Sequence, residues 1–156
     1  MRISASLVYS VVAGLLVALL LLLAVRGMRR DQEMANEVDR TLMAGYVRLV
    51  GEGRFAQAWE TCLSSSYRKN APLERFVAAH EKRRKETGGL QGGRLLRSQA
   101  SRSLFSKVRE LQLLYELSYP GGVERNYVVL NDADGAFRVD GTYCMTAGET
   151  LSFLLW

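Results

Sequence analysis

ELQLLYELSY, residues 110–119, is the stretch on which the fold turns. Leu111, Leu113, Tyr115, Leu117 and Tyr119 alternate with Glu110, Gln112, Glu116 and Ser118. Successive side chains on a strand point to opposite faces, so this period predicts a half-buried β-strand. Tyr119-Pro120-Gly121-Gly122 then reads as a turn, and Val123 to Leu130 as the next strand. Asn131-Asp132-Ala133-Asp134-Gly135 is a hairpin loop whose glycine supplies the positive φ that such loops demand. Ala136 to Tyr143 is a further strand. Leu151, Phe153 and Leu155 mark a last one, and a weaker strand covers Arg94 to Arg102, with Leu104 to Val108 continuing its pattern.

Before residue 90 the period is helical. Val38, Leu42, Tyr46, Leu49 and Val50 place one helix over 31–52, with Asp31, Glu33 and Glu37 near its start and Gly51 and Gly53 at its end. Phe55, Ala58, Trp59, Cys62 and Leu63 share a face of a second, short helix. Residues 64–72 read as a polar loop. Pro72 opens a third helix with an inner face of Leu73, Phe76, Val77 and His80, stopped by Gly88-Gly89. Helices first and a meander of strands afterwards is the α+β pattern, with helices packed on a curved antiparallel sheet.

The N-terminus has another character. Ile3 to Val25 is 23 residues without a charge, against the roughly 20 that cross a bilayer. Secretory apolar regions are shorter and end in small residues, whereas this run ends in Leu-Leu-Leu-Ala-Val-Arg. The expectation is an uncleaved transmembrane helix with a basic flank over 1–30 and one domain over 31–156. No proline separates the two segments, and Gly27 is the one weak point between them. Arg26, Arg29 and Arg30 follow the span and Arg2 precedes it, so the positive-inside bias places the domain in the cytoplasm.

Composition narrows the rest. The formal charge is +5, with 24% charged residues. That is mild for a nucleic-acid binder, and aromatics are not interleaved with the densest basic run, Lys82, Arg83, Arg84 and Lys85. That run is either a solvated helix end or a contact for anionic lipid headgroups. The single histidine rules out a His-rich metal site, and no cofactor motif is present. Cys62 and Cys144 read as two thiols or, in an oxidising compartment, as one disulfide. Trp59, His80 and Tyr115 could line an interior pocket, but aromatics at regular spacing are more often core. No carboxylate can be placed beside His80, so acid/base catalysis has no visible pair.

The soluble part resembles the nuclear-transport-factor-2-like (cystatin-like α+β) superfamily. Gly51-Glu52-Gly53-Arg54-Phe55 followed by Ala58-Trp59, the alternating 111–119 strand, the 119–122 turn and the return from Asp134 to Gly141 carry the resemblance. It implies a curved sheet wrapped round a long helix. Single-pass proteins of this layout resemble scaffold subunits of bacterial secretion machines, whose domain lies outside the inner membrane. The expectation is therefore a non-catalytic, membrane-anchored interaction module on the periplasmic side. It would contact lipid and either other subunits or a second copy of itself, with no nucleic acid and no cofactor. A small-molecule-binding or enzymatic cone is the alternative.

Overall fold

The computed structural model describes residues 5–102 and 108–145. The expected strand over 151–155, and most of the continuation over 104–108, lie outside them. Contacts divide the chain into two units, Met1–Met34 and Ala35–Trp156.

The first unit is helical. Helix α1, Ala5–Val38, passes through Gly27 without a break. It contains the one helix among the described residues that is long and apolar enough to cross a membrane, with a mean hydropathy of 2.0. None of its apolar window is covered by protein.

The second unit is α+β, as its period predicts. After α1 come a π-turn at Asp39–Met43, then α2 (Ala44–Gly51), α3 (Phe55–Cys62), α4 (Ser65–Asn70) and α5 (Leu73–Thr87). Four strands follow: β1 (Gly92–Arg102), β2 (Arg109–Tyr119), β3 (Gly122–Asn131) and β4 (Arg138–Cys144). They form one antiparallel meander in the order β1-β2-β3-β4. Gly135 has φ +83°, as its hairpin requires. β1 is longer than expected and pairs with β2 along its whole length, with one bulge between Leu95 and Arg97.

The core lies on one face of this sheet. Leu111 pairs with Leu130 and Leu113 with Val128, and Val139 stands opposite Leu130. Directly opposed residues share a face. These five side chains are 0–2% exposed. The helical half contributes Val38, Met43, Tyr46, Leu49, Val50, Phe55, Ala58 and Phe76, and Leu63 follows α3, all buried.

Four details depart from the sequence reading. Residues 65–70 form a helix, because Ser64 caps it by accepting the Tyr67 N–H at 2.9 Å. The π-turn adds one residue to the helical repeat, so the buried stripe runs from Val38 to Met43 and leaves Leu42 half-buried. Leu73 is 37% exposed, off the inner face that Phe76 anchors. Leu114 is fully buried although its neighbours Leu113 and Tyr115 point the other way, so β2 is covered on both faces at that point.

Gly51 has a structural reason to be glycine. A Cβ there would meet the Leu90 carbonyl oxygen at 2.5 Å, where α2 touches the chain leading into β1.

Candidate functional site

The three candidate pocket residues sit in three different settings. His80, on α5, is wedged into an aromatic box. Its ring stacks on Phe55 with centroids 5.4 Å apart and meets the edge of Phe76 at 4.4 Å. The Tyr46 hydroxyl lies 3.4 Å from Nε2. Burial, and secondarily the Arg83 charge, push the imidazole down to about 4. His80 is therefore neutral at pH 7, and among the described residues its neighbours are aromatic rings and a tyrosine hydroxyl.

Tyr115, on β2, faces the π-turn. Its hydroxyl donates to the Asp39 carboxylate. Burial first, and the Asp39 contact second, raise its pKa above the ordinary tyrosine value. Both side chains line a cleft of about 640 Å³ with Arg40, Arg48, Leu90 and Gly93. A pocket of this size suits a small ligand in volume, but His80 does not line it.

Trp59 is half-buried on α3. Its indole N–H donates to the Ala71 carbonyl at 2.9 Å, and the Arg68 guanidinium lies 5.5 Å from the ring centroid. It fixes the chain between α4 and α5 and lines neither the Tyr115 cleft nor the one beside His80.

The basic run on α5 is divided by helical geometry, since four consecutive residues point in four directions. Arg83 turns to the sheet, pairs with Glu124 and lies 5.7 Å from the Tyr119 ring centroid. Lys82 reaches Glu86 at 3.9 Å in an exposed i,i+4 pair. The Arg84 guanidinium covers Gly53, whose φ is +79°. Lys85 is exposed. Lys82, Arg84 and Lys85 thus stay exposed, while Arg83 is half-buried against the sheet.

Cys62 is buried and Cys144 is exposed, and both are free thiols. No group of three or more His, Cys, Asp or Glu residues is placed to hold a metal among the described residues.

Two features escaped the sequence reading. Asp39 reaches Tyr115 through a π-turn that no local pattern announces. A second cleft, of about 480 Å³, opens between β4 and the α4–α5 pair, lined by Asn70, Arg75, Ala79, His80, Gly141 and Tyr143 among others. A protein-family comparison matches no model, and a comparison with curated proteins finds no relative.

Proposed function

We propose that this chain is a non-catalytic, membrane-anchored interaction module, an accessory or assembly subunit of a membrane complex. The filled interior carries this reading. Where a ligand-binding cone would be hollow, Leu111, Leu113, Leu130 and Val139 have no exposed surface. The one histidine is neutral and packed among rings. The grooves that remain lie between elements at the surface, where another polypeptide can reach them.

The apolar N-terminal helix supports the anchor. A helix with leucines exposed on every side is solvated by lipid, not by water. We place the domain on the outer face of a bacterial inner membrane by its resemblance to anchored assembly subunits, against the positive-inside bias.

Cross-linking of the full chain in intact membranes tests the proposal. A discrete adduct with a second component in fixed ratio, unchanged by high salt, is expected. The absence of any adduct at cross-linker levels that link known neighbours contradicts the reading.

A further inference from the structure

The outer edge of β4 is unevenly covered. At its start Leu63 bridges Val139 in parallel, and the Ser64 backbone N–H donates to the Val139 carbonyl at 2.8 Å. The remainder of the edge can be oriented from one bond: the Met145 N–H donates to the Arg125 carbonyl at 2.9 Å. The register pairs Asn126 with Cys144, Tyr127 with Tyr143 and Val128 with Thr142. Antiparallel pairs alternate between bonded and unbonded. Tyr143 therefore turns its backbone N–H and C=O toward β3, while Thr142 and Cys144 turn theirs outward. Among the described residues nothing pairs with those outward groups.

Of these two residues Thr142 lines the second cleft, together with Asn70, Arg75 and Ala79. Tyr143 is 61% exposed beside it. Arg75 is exposed and has no ion-pair partner among the described residues. The two sheet edges also differ in charge. β1 carries Arg94 and Arg97, the kind of charges that keep an edge from pairing. Between Val139 and Cys144 the sole charge is Asp140, whose carboxylate is held by the Ser64 hydroxyl.

We propose that β4 receives an extended segment of a partner protein as an added strand, with an acidic side chain of that segment meeting Arg75. This names the docking surface of the interaction module and rests on that reading. The added strand prolongs the line that Leu63 and Ser64 begin. Its affinity comes from backbone hydrogen bonds, and its specificity from alternate side chains seated in the cleft.

The test uses the full chain in detergent micelles and a labelled peptide of alternating valine and threonine with one central glutamate. Binding is expected, at least about tenfold tighter than to the same peptide with lysine in place of glutamate. Arg75→Glu should reverse that preference. Thr142→Pro removes an outward N–H that β4 does not use for pairing with β3, so the fold should keep its circular dichroism and melting temperature. The same variant should weaken the peptide by at least about tenfold. Unchanged binding to Thr142→Pro overturns the proposal, as does equal binding of a proline-interrupted peptide. Binding seen only after removal of residues 146–156 overturns it as well. In membranes, a cross-linked complex that survives Thr142→Pro refutes this surface and leaves the module reading standing. Absence of any adduct from the wild-type chain contradicts both.

Discussion

At the scale of single residues, His80 has the most measurable consequence. Its pKa is about 4 in the fold because burial disfavours the charged ring and Arg83 repels it. In the unfolded chain it titrates near 6.5. Between those values the unfolded state holds more protons. Stability is therefore complete above about pH 6.5 and falls as the pH drops toward 4, by at most about 3 kcal/mol. Thermal melts of the full chain in micelles across this range should show the loss, and His80→Leu should flatten it while leaving the neutral-pH melting temperature nearly unchanged. An identical pH profile in the variant would place the histidine outside the box. Its inward position was legible from Leu73, Phe76, Val77 and His80 at helical spacing. The box itself was not, because Tyr46 and Phe55 come from other helices and sequence spacing carries no information about such meetings. The spacing of Trp59 on the second helix predicts a core side chain. The structure leaves it half-buried with its N–H on Ala71, since an indole can span a rim as well as fill a core.

Elements record where periodicity succeeds and where it slips. The meander was legible because β2 alternates and its turns carry Pro, Gly, Asn and Asp at the bends. The helical stripe was legible as far as Val38, where the π-turn inserts one residue and moves burial from Leu42 to Met43. This gives a direct contrast. Met43→Ala should cost about 2–5 kcal/mol as a core truncation. Leu42→Ala should cost clearly less, whereas an unbroken α-helix would give the reverse order in chemical unfolding. Helix α4 was missed because its six residues are polar and have no stripe to read. It exists through its cap: Ser64 accepts the Tyr67 N–H, Ser64 also bonds Asp140, and the hairpin's Asp134 accepts both the Ser65 N–H and hydroxyl at 2.8 Å. Those two Ser65 bonds hold the Asp134 carboxyl below the usual range. Ser64→Ala should cost about 1–2 kcal/mol, read as a lowered melting temperature. A neutral result would show that α4 does not depend on this cap.

For the whole molecule, two claims are joined: a retained anchor and a domain that docks partners. The long apolar helix was legible because a charge-free run of 23 residues needs no tertiary information. The open side of β4 was not, because it depends on which of the described strands ends the sheet. An alkaline phosphatase fused after Trp156 should be active if the domain is exported, and a reporter that fluoresces only in the cytoplasm should stay dark. The opposite pattern would restore the placement favoured by the arginines. The joined claim is tested most directly by native mass spectrometry of the full chain released from its own membranes in mild detergent. The account predicts an assembly heavier than one 17.5 kDa chain, with the N-terminal helix intact and a second component, or a second copy, in fixed ratio. A lone chain at that mass, or one shortened to begin beyond residue 25, would contradict it.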